Sequence, residues 1–228
     1  MENNTYKLAS LAAFLTVITT FCVHVLFAAG PTDFEARILL FKDLMYIMQR
    51  WVIILHGLLV FVTMWGLFLH TYRKSLVWSV PGLIFYTGFI MVELGRMMFI
   101  LYYLNGLRER YLTETMATTK EMLAHDINQF TLISFSLFGL FMLFIALGNF
   151  CFGAAMLKVE GWGRKLGVLL LIWSVLNIIA LFNLSYQNQV ISKLIEFTNL
   201  YFQMGIRLSI GLYLWHLVKI NKISNVIY

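Results

Sequence analysis

Glu93, Arg96 and Arg207 carry full charge inside stretches that are otherwise apolar enough to cross a lipid bilayer. An ionised side chain near the bilayer centre costs at least ~2.5–3.5 kcal/mol on insertion scales, so it demands a partner or a wet cavity. Glu93 and Arg96 stand three apart, which makes them neighbours on one helix face. Guanidinium binds carboxylate or phosphate oxygens bidentately. Two guanidiniums against one carboxylate leave a cation over, and an anionic ligand would balance it. Gln203, one turn from Arg207, adds an amide. The expected ligand-binding set is therefore Glu93, Arg96, Gln203 and Arg207, around an outward-opening pocket for a lipid-like or small anionic ligand. The plainer arrangement is an ion pair, Glu93–Arg207 or Glu93–Arg96, that fixes helix packing, with Asn149, Asn177 and Asn183 making hydrogen bonds between helices.

A second chemistry is carried by the histidines. His56 and His70 share one apolar stretch with thirteen residues between them. This spacing resembles membrane cytochrome b subunits, whose two b haems each take a pair of axial imidazoles. His24 matches the depth of His56, and His216 matches that of His70 at the opposite edge. A haem b-carrying electron-transfer subunit is thus the alternative reading, with His24, His56, His70 and His216 as ligands. His70 and His216 also lie beside Arg73 and Lys219, where amphipathic edge residues are common.

Other chemistry is poorly represented. There is no Ser-His-Asp order, HExxH, Walker A, GxGxxG or CxxC pattern. Cys22 and Cys151 lie in apolar runs without metal-ligand spacing and read as small buried side chains. His125 and Asp126 read as a solvated pair in an outer loop, and Met97 and Met98 as lipid-facing or packing residues and not copper ligands. No catalytic residue, no metal site and no cofactor are expected, and the chain reads as a non-enzymatic binding or sensing protein. A small transporter would need a polar route through the inner half, which no charged residue marks.

The elements that position these residues follow from composition. Of 228 residues, 61% are hydrophobic and 12% charged, about half the charged share of a soluble domain at ~25%. A hydrocarbon core of ~30 Å needs about 20 helical residues. Six stretches qualify: 8–29, 51–70, 76–104, 130–157, 166–186 and 198–217. The first reads as a span and not a leader, because its apolar run is too long and Pro31 follows the small residues Ala28, Ala29 and Gly30. The expected fold is all-α: a single transmembrane domain over 1–228, a polytopic bundle of six helices. Lys and Arg in the short loops, namely Arg73, Lys74, Lys158, Arg164 and Lys165, place both termini in the cytoplasm. A multi-pass protein of the cell inner (plasma) membrane is expected, with membrane lipids as partners. A homo-oligomer or a larger complex would be compatible. The net charge of +6 falls in no basic stripe, so no nucleic acid is expected.

Two connections carry patterns of their own. Phe34, Ile38, Phe41, Met45 and Met48 recur at helical spacing, as in a short amphipathic helix at the membrane surface, a helix packed on its neighbours, or an extension of the second span. Asn105–129 is polar, and Thr118 with Glu121 fits a capping box opening a helix into the fourth span.

The run Phe152-Gly153-Ala154-Ala155-Met156-Leu157-Lys158, followed by Gly161-Trp162-Gly163-Arg164-Lys165-Leu166-Gly167, is similar to the short inner loop of a bacterial family of uncharacterised integral membrane proteins, domain of unknown function 4386. The ending Ser209-Ile210-Gly211-Leu212-Tyr213-Leu214-Trp215-His216 resembles that family's last span. The resemblance implies a bacterial six-helix membrane protein and carries no functional residue with it.

Overall fold

A computed structural model describes the backbone of residues 2–26, 30–31, 33–186 and 188–227, and their side chains except at 2, 194, 196–199 and 221–227. All regular structure among the described residues is helical. The elements are α1 (Glu2–Leu26), α2 (Phe34–Ile38), α3 (Leu44–Thr71), α4 (Leu76–Met98), α5 (Asn105–Thr113), α6 (Ala117–Met156), α7 (Trp162–Tyr186), α8 (Gln189–Phe197) and α9 (Gln203–Ile227). Wide π turns at Phe99–Leu104 and Thr198–Phe202 join α4 to α5 and α8 to α9.

Five stretches are long and apolar enough to cross a bilayer: Asn3–Leu26, Leu44–Thr71, Leu76–Thr113, Ala117–Met156 and Trp162–Tyr186. The chain is a multi-pass helical membrane protein. The sixth expected span, 198–217, falls on the second π turn and α9, and its side chains at 198 and 199 lie outside the described residues.

Helix boundaries differ from the expected spans in one direction. α1 starts at Glu2, α3 at Leu44 and α6 at Ala117, while α4 runs through its π turn to Thr113; the expected end of the first span, 27–29, lies outside the described residues. Hydropathy marks only the lipid-buried portion, whereas backbone hydrogen bonding lets a helix continue into water. At 1.5 Å per residue α6 is ~60 Å long, about twice the hydrocarbon thickness. The polar stretch after Asn105 is therefore mostly helix, and His125 and Asp126 sit on α6 and not in a loop. The capping box is also absent. Met116 occupies the cap position, and Glu114 Oε1 accepts from the N–H groups of Thr115 and Met116, each at 2.9 Å.

Residue size explains the packing. The inward face of α1 carries Ala9, Ser10, Ala13, Thr16 and Thr20, while Leu8, Leu11, Leu15, Ile18 and Val25 face outward. Small residues inside and large apolar ones outside let helices approach closely in lipid, where burying apolar surface between helices gains little. Ser10 Oγ donates to Gly211 O at 2.8 Å, tying α1 to α9. Ser174 Oγ donates to Ala146 O at 2.7 Å, tying α7 to α6. The six long helices form a closed ring in the order α1, α3, α4, α6, α7, α9, each antiparallel to its neighbours; α9 packs broadly on α1 and only lightly on α7.

Two apolar clusters result. The larger fills the bundle around Met64, Tyr86, Phe152, Leu170 and Ile210. The smaller lies at the end remote from the N-terminus, around Ile38, Met97, Leu104, Leu123 and Ile127. Ile38 is fully buried there, so α2 packs on its neighbours. Asp43 then caps α3, its Oδ1 accepting from Met45 N at 2.8 Å, which places Met45 and Met48 on the second long helix.

Candidate functional site

Between the two clusters the ring is not filled. Stripes from three helices face each other across the space. α3 contributes Tyr46, Gln49, Arg50, Ile53 and His56, and α4 contributes Glu93 and Arg96. α6 contributes Thr131, Ser134, Phe135, Phe138 and Phe141. Each set recurs at three- or four-residue intervals, as one helix face requires.

The inner part is a cavity of about 270 Å³, lined by Glu93 and Arg96 together with Gln49, Arg50, His24, His56 and Gln203. Arg96 grips Glu93 with two parallel bonds: Nε donates to Oε2 at 2.9 Å and Nη2 to Oε1 at 2.8 Å. Their side chains are 14% and 5% exposed, and such a fork is the strong geometry for a desolvated pair. The Arg96 guanidinium also lies 5.3 Å from the centre of the Phe138 ring. Gln49 Nε2 and Arg50 Nε are buried without a hydrogen-bond partner.

The outer part is an open cleft of about 410 Å³ lined by Arg37, Tyr46, Arg50, Arg96, Ile100, Arg108, Thr131, Ser134 and Phe135, among others. Arg50, Arg96 and Phe138 line both spaces, so cleft and cavity adjoin. The π turn of Phe99–Leu104 supplies Ile100 and Leu104 to the cleft wall. π segments of this kind often occur at functional sites.

The expected site residues are thus mostly, but not wholly, brought together. Glu93, Arg96 and Gln203 line one cavity. Arg207 does not line it. It is 1% exposed, its guanidinium lies 5.3 Å from the centre of the Trp173 ring, and its Nε has no hydrogen-bond partner. Among the described residues no carboxylate pairs with it, so of the two expected ion pairs Glu93–Arg96 is the one formed.

The amides also divide. Asn149 Oδ1 accepts from the Tyr86 hydroxyl of α4 at 2.6 Å. Asn183 Nδ2 donates to Ser192 Oγ of α8 at 2.9 Å. Asn177 bonds within its own helix, to Trp173 O at 2.8 Å.

No family model matches this chain, and no curated protein or solved structure does.

His24 and His56 both line the inner cavity, His56 Nδ1 lying 2.8 Å from Thr19 Oγ1 and His24 Nδ1 2.9 Å from Thr20 O. His70 and His216 do not reach it. His70 Nε2 lies 2.8 Å from the Tyr213 hydroxyl, and His216 packs on Trp162 with ring centres 6.0 Å apart. No group of three or more His, Cys, Asp or Glu is arranged to hold a metal ion among the described residues.

The residues that sequence reasoning missed are Arg37, Gln49, Arg50 and Arg108. They lie beyond the hydropathy limits of the expected spans, where polar side chains are ordinary. The signal that could have found Gln49 and Arg50 is the continuation of the His56 stripe backward through Ile53 to Tyr46.

Proposed function

We propose that this protein is a non-enzymatic binding or sensing protein of the cell inner membrane, which takes a lipid-like or small anionic ligand into the cavity beside Glu93 and Arg96. The observation that carries the reading is the charge imbalance along the joined spaces. Four arginines, Arg37, Arg50, Arg96 and Arg108, meet a single carboxylate, Glu93, among the lining residues. A buried cation without a partner is expensive, and a bound anion relieves the cost. The mixed walls, with Ile53, Phe138 and Phe141 beside the polar groups, suit a molecule with an apolar body and an anionic head.

The architecture that serves this function has six spans, α9 being the sixth, with both termini in the cytoplasm. The short basic connections at Arg73–Lys74 and at Lys158–Lys165 then lie inside, and the cleft opens toward the outer face.

The reading is tested with purified protein in zwitterionic phosphatidylcholine nanodiscs, comparing dodecanoate with dodecanol by thermal shift and titration. Dodecanoate is expected to bind and stabilise, and dodecanol is not. Arg50→Gln should weaken dodecanoate about tenfold or more, as expected for losing one hydrogen bond to a charged group. Equal effects of the acid and the alcohol would overturn the reading.

A further inference from the structure

Two arginines of the outer cleft are built around a single ring. The Arg50 guanidinium lies 4.4 Å from the centre of Tyr46 and that of Arg108 5.4 Å from it. Arg108 Nη1 donates to the Tyr46 hydroxyl and to Asn105 Oδ1, each at 3.1 Å. Arg37 reaches the same cleft from α2, held by its packing over Phe34 at 5.6 Å. In each of Arg37, Arg50 and Arg108 the Nε is buried and has no hydrogen-bond partner. None of the three forms an ion pair among the described residues. Glu93 is held by Arg96, and Glu35 Oε1 accepts from the Tyr111 hydroxyl at 2.9 Å.

Arginines that merely anchor a helix end extend singly toward the headgroups, with their forks in water. Here the Nε of each of the three is buried instead. Arg108 is 5% exposed, and three guanidiniums from α2, α3 and α5 are drawn into one cleft despite their mutual repulsion. Thr131 and Ser134 of α6 complete the polar wall, and Leu40, Ile100, Leu104 and Phe135 the apolar one.

We infer that this cleft recognises a phosphate monoester, with Arg37, Arg50 and Arg108 holding its oxygens and the attached chain running along the α6 stripe toward Phe138. The inference rests on the anion-binding reading above and narrows it. A carboxylate brings one negative charge and two oxygens. A phosphate monoester brings about −1.5 to −2 at neutral pH and three acceptor oxygens, which answers three otherwise uncompensated guanidiniums. Planar forks favour this partner over a point charge. The same chemistry is presented by a lipid headgroup and by free phosphate.

The experiment uses the full chain in phosphatidylcholine nanodiscs, titrated with dodecyl phosphate, dodecanoate and inorganic phosphate. Wild type should bind dodecyl phosphate at least about tenfold more tightly than dodecanoate. R37Q/R108Q should abolish that preference, with dodecyl phosphate losing at least about fivefold more affinity than dodecanoate, because neither residue lines the inner cavity. If that double variant does not fold, R37K/R108K keeps the charges, loses the forks, and should reduce the preference severalfold. Competition by millimolar inorganic phosphate would support the site and identify a free anion as sufficient. Failure to compete, with the preference intact, would support it and assign a lipid. Equal affinity for the two amphiphiles, or a preference that survives both double variants, overturns the inference and leaves the anion-binding reading standing. Loss of all anion selectivity in wild type removes both.

Discussion

Glu93 and Arg96 are joined fork to fork, two bonds of 2.8 and 2.9 Å between side chains one helical turn apart. The pair neutralises the only carboxylate among the cavity's lining residues, so the remaining guanidiniums keep their charge for something else. Removing Glu93 alone strands Arg96 in a poorly solvated place. Glu93→Leu should destabilise the protein toward the lower end of ~3–5 kcal/mol, whereas Glu93→Leu with Arg96→Met should be closer to wild type. Thermal unfolding in detergent reads the difference. A double variant less stable than Glu93→Leu would contradict the pairing.

Arg207 makes the opposite prediction. With Trp173 against it and no carboxylate partner among the described residues, it is a cation whose burial is not repaid by an ion pair. Arg207→Met keeps much of the volume and removes the charge, so stability should hold or rise by ~1 kcal/mol or more. Dodecanoate affinity should stay within twofold, since the side chain lies outside the cavity lining. A marked loss of stability would show that an anionic partner is present after all.

Tyr86 and Asn149 form a buried hydrogen bond of 2.6 Å between α4 and α6. Asn149 Nδ2 already lacks a partner. Tyr86→Phe therefore leaves the whole amide unserved and should cost ~1–3 kcal/mol, while Tyr86→Phe with Asn149→Leu should recover part of that loss. A chemical denaturation series of the three variants decides it; additivity would sink the claim.

Two glycines should behave differently for steric reasons. A Cβ on Gly167 would stand 2.9 Å from Gly153 O and 2.9 Å from Leu157 N. These are backbone atoms of the α6 helix and its end, and they cannot swing aside. Gly167→Ala should lose ~1–3 kcal/mol by overpacking. Gly106 has nothing within 4 Å of such a position, so Gly106→Ala should gain up to ~1 kcal/mol from helix propensity. Melting temperatures of the two variants give the comparison, and a tolerated Gly167→Ala would mean the α6–α7 crossing is looser than described.

The proposed six-span topology is open to direct labelling. In a background with Cys22 and Cys151 replaced by alanine, an impermeant thiol reagent added to intact cells should label Lys120→Cys and spare Lys165→Cys. The reverse pattern would invert the bundle and turn the arginine cleft toward the cytoplasm.

Composition and hydropathy by themselves determined that the chain is helical and crosses a membrane, because insertion energetics act on each stretch separately and need no knowledge of its neighbours. The i, i+3 spacing likewise made Glu93 and Arg96 neighbours before any packing was known. Local sequence could not tell which of two arginines would take the one carboxylate. That depends on how α9 is rotated against α7, and packing on Trp173 turns Arg207 away from the cavity. Nor could it place Arg37, Arg50 and Arg108 together. They come from α2, α3 and α5, and only the packing of Ile38 into the smaller core and the continuation of α4 through its π turn bring those elements around one cleft. Side chains on one helix are related by the fixed pitch of the backbone, whereas side chains on different helices are related only by the sum of all contacts in the fold.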